Sequence, residues 1–209
     1  MSALPPLDDT AAMSVFADLL QVRGDPRGEL VQLQLARERF PSDARLARAE
    51  AQHLARNDRH LLGALRTATS LCQLSWRRGF IVEARLQSWT AGQPQWFRGR
   101  WVEPSPPARP KLPRLVRELL SLESARPLQM LTVALPRSRF SGEQLVRCAE
   151  VVARAKHGEL RVLALHLLDP VPRDWSDEWE VGPTTEFSMR GLHVSAASPL
   201  AVELSRALE

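Results

Sequence analysis

The hydrophobic period of this chain changes once, near Trp76, and the change limits what the chain can fold into. Upstream, apolar residues recur at helical spacing. Val15, Phe16, Leu19 and Leu20 share one face of a first helix that stops at Gly24. Asp25-Pro26 restarts a helix: an aspartate caps well and proline suits the first turn. Leu30, Val31, Leu33, Gln34 and Leu35 continue it, and Pro41 ends it. Ser42 opens a third, polar helix with Leu46, Ala49 and Leu54 inside, and Asp58 a fourth carrying Leu61, Leu62, Leu65, Ala68, Leu71 and Leu74. Downstream, Gly79–Leu86 alternates like a strand, with Phe80, Val82, Ala84 and Leu86 on one face. Residues 88–113 read as a long irregular connection, and the prolines at its end exclude both helix and central strand. Helix and strand patterns then alternate: a helix at Leu115–Leu120, a strand at Leu128–Leu135, a helix from Ser141 to Lys156, strands at Leu160–Leu167 and Phe187–Val194, and a last helix from Ser198-Pro199.

Two of these strands repeat one pattern. Leu128-x-x-Leu131-x-Val133 and Leu160-x-x-Leu163-x-Leu165 lie 32 residues apart, and Met189-x-x-Leu192-x-Val194 is a looser third copy. Strand then helix, with L-x-x-L-x-L in the strand, is the leucine-rich-repeat pattern. The asparagine or cysteine that normally follows is missing, since Pro136 and Leu168 stand near those positions. A short, degenerate stack is therefore expected rather than a regular horseshoe, although a generic α/β sheet also has leucine-rich strands. The fold class expected is α/β: an N-terminal helical subdomain over residues 1–75, then a short leucine-rich-repeat-like parallel sheet backed by helices over 76–209, interrupted by the Trp/Pro-rich loop at 88–113.

Composition excludes several classes. With 44% hydrophobic and 25% charged residues, the chain is too apolar for wholesale disorder. No apolar run approaches a membrane span, and the N-terminus lacks the basic and apolar regions of a signal peptide. Cys72 and Cys148 both sit in apolar helical patterns and read as buried thiols, which fits a cytoplasmic location. The net charge is only +4, and nearly all basic residues are arginine, a coding-bias signature. Basic character therefore gives little reason to expect nucleic acid. The charge is uneven, however. Residues 98–117 are basic and 173–186 acidic, a pattern that suits either a complementary pair within the fold or steering of a partner.

The N-terminal segment Val15–Gln34, with Gly24-Asp25-Pro26-Arg27-Gly28-Glu29 at its centre, resembles the bacterial repeat-companion domain, which carries Y-A-D-W-L-x-x-x-G-D-P-R-G-E-x-I-x-L-Q and sits upstream of leucine-rich repeats. Trp76-Arg77-Arg78-Gly79-Phe80 resembles the R-R-G-F strand that closes that domain. The resemblance covers about residues 13–86. Phe16 stands for the usual tyrosine and Leu19 for the usual tryptophan, which keeps the apolar face and removes polar handles. It implies a non-catalytic accessory domain attached to a repeat surface, and no chemistry is carried over. From the residues themselves, Asp25, Pro26, Gly24 and Gly28 build a tight helix–helix corner, with Arg27 expected to pair with Asp18 or Glu29; a ligand-binding role for Asp18, Arg27 and Glu29 is the alternative.

No motif for phosphate binding, zinc or a serine nucleophile is present. No catalytic, cofactor-binding or metal residue is therefore assigned, and no cofactor is expected. His53 and His60 read as surface residues, and the acidic run Asp174–Glu180 as a solvated loop with two tryptophan anchors. Strand alternation points Met130, Thr132, Ala134, Val162, Ala164, His166 and His193 away from the leucine face. On neighbouring strands, His166 and His193 would approach each other as an acid/base couple if the chain were a small hydrolase. Without that chemistry, the same face suits a partner's helix or strand, or an intramolecular cover. Trp89, Trp96, Phe97 and Trp101, interleaved with Arg98 and Arg100, have the make-up of a protein interface, of a stacking platform for single-stranded nucleic acid, or of a clasp pinning the loop onto the sheet. The reading favoured is a bacterial protein–protein interaction module, an adaptor or a regulator of a partner such as a co-encoded enzyme. The face and the Trp/Arg loop would be its contact residues. A hydrolase or a nucleic-acid binder is the alternative, and neither membrane nor nucleic acid is an expected partner.

Overall fold

The computed structural model describes residues 4–87, 95–97, 100–102, 112–136, 141–155, 157–168, 184–189 and 192–197. Among these residues the protein is mixed α/β, with helices first and a mixed sheet after them. Three helices lead: α1 (Thr10–Val22), α2 (Arg27–Arg39) and α3 (Ala44–Arg56). Their ends follow local chemistry. Asp9 caps α1 through the Ala12 N–H, Asp43 accepts from the Arg45 N–H, and Asp25 Oδ1 accepts from the Arg27 N–H at 2.9 Å. Gly24 turns the corner between α1 and α2 at φ +70°.

The expected long fourth helix is not formed. Helix α4 covers only Asp58–Leu62, Gly63 adopts φ +53°, and a 3-10 stretch follows over Gly63–Leu71. Cys72 then opens strand β1 (Cys72–Arg77) instead of lying in a helix. Leucines at 71 and 74 satisfy a helical period, but Cys72, Leu74 and Trp76 also alternate, and the sheet wins. β1 pairs antiparallel with β2 (Phe80–Gln87) around Arg78-Gly79, both at positive φ. That is the conformation of a two-residue hairpin turn.

A short ribbon, β3 (Gln95–Phe97) with β4 (Arg100–Val102), interrupts the main sheet in sequence. The chain continues through α5 (Leu112–Ser121), β5 (Met130–Pro136), α6 (Ser141–Ala155), β6 (Val162–Leu168), β7 (Thr184–Met189) and β8 (Leu192–Ala197). The sheet order is β1-β2-β5-β6-β8-β7. The four central strands run parallel, while β1 and β7 are antiparallel at the two edges. The expected all-parallel sheet is thus corrected to a mixed one. The single strand expected at Phe187–Val194 is likewise two, β7 ending at Met189 and β8 starting at Leu192. The last helix expected from Ser198 lies outside the described residues.

One core serves the sheet. Ala84, Leu86, Leu131, Val133, Leu135, Leu163 and Leu165 alternate onto one face, where Leu115, Val116 and Leu119 of α5 and Leu145, Cys148, Ala149 and Val152 of α6 pack. Burial pushes the Cys148 thiol up to about 12 and the Cys72 thiol up to about 11, so both stay protonated. A second, smaller cluster joins α1 and α2 to the hairpin: Met13, Ala17, Val31 and Phe80. The Arg27 guanidinium lies 5.5 Å from the centre of the Phe80 ring. Among the described residues, no helix is long and apolar enough to cross a membrane.

Candidate interaction surface

Register brings the face opposite the helices together row by row. Met130 pairs with Val162 and with Glu83; Thr132 with Ala164 and Arg85; Ala134 with His166 and Gln87. Parallel partners share a face, so these nine residues form one patch across β2, β5 and β6. Glu83 and Arg85 are exposed, Met130, Thr132, Val162, His166 and Gln87 are half-buried, and Ala134 and Ala164 are buried. Ala164 and Ala134 form the floor of the patch.

The two sheet histidines do not meet. His193 stands opposite Val162 in the register, four residues before His166. At about 3.3 Å per residue, that is roughly 13 Å along the strands. An acid/base couple of His166 and His193 is thus contradicted by the backbone alone. His166 has a buried Nδ1 without a hydrogen-bond partner. Burial, and then the Arg85 charge, hold its pKa below the usual 6.5. His157, after α6, is likewise lowered, mainly by burial, although its Nε2 bonds the Ala125 carbonyl oxygen at 3.0 Å.

These two histidines set a pH dependence. The unfolded chain takes up protons near pH 6.5, whereas the folded chain resists them until a lower pH. Stability therefore falls as pH drops through 6.5 towards the folded-state values, then stops falling on their account. Urea unfolding should give a lower midpoint at about pH 5.5 than at about pH 7.5. The gap should narrow in a His157→Gln/His166→Gln variant, and an unchanged gap would refute the assignment.

Of the loop residues expected to bind a partner, Trp96, Phe97, Arg100 and Trp101 fall in the β3–β4 ribbon, where Trp96 is the register partner of Trp101 and Phe97 of Arg100. Trp89 and Arg98 lie outside the described residues.

The helical corner holds a polar network that sequence reasoning missed. Gln34 is buried; its Oε1 accepts from the Gly79 N–H at 2.7 Å and its Nε2 donates to Glu50 Oε1 at 2.7 Å. Arg37 donates to the other Glu50 oxygen. Arg78 is buried and donates to both Glu38 carboxylate oxygens, to the Leu7 carbonyl and to Thr10 Oγ1. The Glu38 hydrogen bond raises the Arg78 pKa further, so the guanidinium stays charged.

His53 belongs to the same region and is 6% exposed, not the surface residue expected. Its Nε2 lies 2.8 Å from the Pro26 carbonyl oxygen and its Nδ1 3.3 Å from Glu29 Oε2. Arg27 pairs with Asp25, and at 3.9 Å with Glu123, rather than with Asp18 or Glu29. Burial raises the Asp25 pKa, but hydrogen bonds from the Arg27 side chain and backbone outweigh it and leave the carboxyl below its usual value. Gln21, Asp25, Glu29, His53 and Asn57 line an open concavity of about 410 Å³ there. Within it His53 meets Pro26, Glu29 and Asn57, while the Asp25 carboxylate is held by Arg27. The signal that could have exposed this network is the R-G turn itself, because a tight hairpin packed on helices leaves a backbone N–H needing a buried acceptor.

Among the described residues, no group of three or more His, Cys, Asp or Glu side chains could hold a metal ion. Comparison of the chain with protein-family models, with curated proteins and with solved structures gives no match.

Proposed function

We propose that the protein is a non-catalytic interaction module in a bacterial cell, an adaptor or regulator that grips another protein with the β2-β5-β6 face. The observation that carries this reading is the order of the parallel strands. β2, β5, β6 and β8 follow one another across the sheet in chain order, and α5 and α6 both pack on the same side. Leucine-rich repeats are built this way, and they bind through the strand face that their helices leave uncovered. The 32-residue step between Leu131 and Leu163, and their direct pairing in the register, support repeat-like units. The composition of the patch supports contact. A small-residue floor at Ala134 and Ala164 is bordered by Met130, Val162, Arg85, Glu83 and His166, a mix of apolar and hydrogen-bonding groups. The four-residue offset of His166 and His193 favours binding over hydrolysis. The repeat-companion resemblance of residues 13–86 fits an accessory role beside such a surface.

The test is affinity capture from the native cell with three baits: the wild type, a Thr132→Arg variant on the patch, and an Arg117→Glu variant on the exposed side of α5. Circular dichroism checks that all three are folded. A partner held by the wild type and by Arg117→Glu, but lost from Thr132→Arg, is the expected result. Identical partner sets for all three, or none for any, would rule out this face.

A further inference from the structure

We propose that the outward face of α1 is a self-association surface on which two copies of the chain pair antiparallel, α1 against α1. Helix α1 buries Met13, Ala17 and Leu20 on one side. On the other, Ala11, Val15, Leu19 and Val22 recur at spacings of four, four and three, which confines them to roughly 80° of the helix circumference. All four are exposed, Val15 by 62%, Leu19 by 43% and Val22 by 86%. A solvated helix face is normally filled with strong helix formers such as Ala, Arg or Glu, residues this chain uses freely on α3. Valine is a poorer helix former, because its branched Cβ is restricted against the preceding turn. Two valines and a leucine in one outward row are thus explained by a contact and not by helix stability.

The charges along α1 select the occupant. Exposed Asp8 and Asp9 stand at its N-terminal end and exposed Arg23 at its C-terminal end. Asp8 already meets Arg77, whereas Asp9 gives one oxygen to the Ala12 N–H and keeps its charge towards solvent. A parallel pair would set like charges and like helix ends side by side. The antiparallel pair sets Arg23 of one protomer against Asp9 of its partner, twice, and opposes the two helix dipoles. A two-fold axis between Val15 and Leu19 seats each of these residues on the other's counterpart. Asp18, at the edge of the row, is turned towards α2, where Gln32 Nε2 lies 3.4 Å away. A row of this length buries on the order of 700 Å² in total, well short of the ~1,200 Å² of a standard stable interface, so the dimer is a weak one.

Sedimentation velocity of the full chain, from about 10 to about 500 µM, reads this directly. The weight-average mass of the wild type should climb towards twice the monomer value. Val22→Glu, at a position with almost no packing to lose, should stay monomeric throughout, with an unchanged melting temperature. Arg23→Glu should weaken association at least ~3-fold, and added salt should weaken the wild type in the same direction. Thr132→Arg should dimerise like the wild type, which separates this surface from the sheet patch. A wild type that stays monomeric, a Val22→Glu variant that dimerises normally, or a dimer broken by Thr132→Arg would overturn the proposal.

Discussion

Gln34→Leu should be among the most damaging single substitutions in this protein, costing about 3–5 kcal/mol in urea unfolding at neutral pH. Leucine is similar in size, so the cost is not a cavity. It comes from two groups abandoned in the interior: the Gly79 N–H, which loses the Gln34 acceptor, and the Glu50 carboxylate, which keeps Arg37 but loses a 2.7 Å hydrogen bond. A buried donor without an acceptor costs about 1–3 kcal/mol, and an under-paired buried carboxylate more. Gln34→Leu combined with Glu50→Leu should then cost clearly less than the two single changes added, by at least ~2 kcal/mol, because the second change removes the stranded charge. Strict additivity would show that the residues are not coupled as described.

Gly28→Ala should be nearly as severe, although it adds one methyl group. A Cβ at this position would lie 2.6 Å from the Ala17 carbonyl oxygen and 2.8 Å from the Gln21 nitrogen, both backbone atoms of α1. No rotamer change relieves that overlap, so α1 and α2 must separate, opening the cluster of Met13, Ala17, Val31 and Phe80. A loss of about 3 kcal/mol is expected, which for a chain of this size lowers the melting temperature by about 10 °C. Gly158→Ala is the control. Its added Cβ meets nothing within 4 Å, and the change should stay within ~0.5 kcal/mol of the wild type. A Gly28→Ala loss no larger than that of Gly158→Ala would show that α1 and α2 do not approach as closely as described.

The elements legible in the sequence are those whose determinants are neighbours in the chain. The α1–α2 corner was readable because Gly24, Asp25 and Pro26 supply its turn and cap within three residues. The helix-facing sides of β2, β5 and β6 were readable because alternation needs only the strand itself. Strand β1 was missed because Leu61, Leu62, Leu65, Ala68, Leu71 and Leu74 satisfy a helical period. Its clues were Gly63 in mid-pattern, the Thr67, Thr69 and Ser70 run of weak helix formers, and Arg78-Gly79, a hairpin turn six residues later. Of the candidate patch, the row membership of Met130, Thr132, Val162 and His166 followed from alternation. The offset of His193 did not, because register between strands depends on connection lengths and packing that alternation cannot report. The burial of His53 was likewise invisible. Its oxygen neighbours on Pro26 and Glu29 lie more than twenty residues away in sequence, and a polar helix gives no sign of which histidine turns inward.

The docking of the Arg78-Gly79 turn onto α2 bears on modularity. Its hydrogen bonds cross from the helices to the first two strands, so an exchangeable cassette must carry its hairpin with it. A graft ending at the last helical residue would leave Gln34 and Glu38 facing solvent where Gly79 and Arg78 belong. A graft running to the end of β2 at Gln87 keeps those bonds intact and offers a ready-made edge to which other parallel strands can be attached.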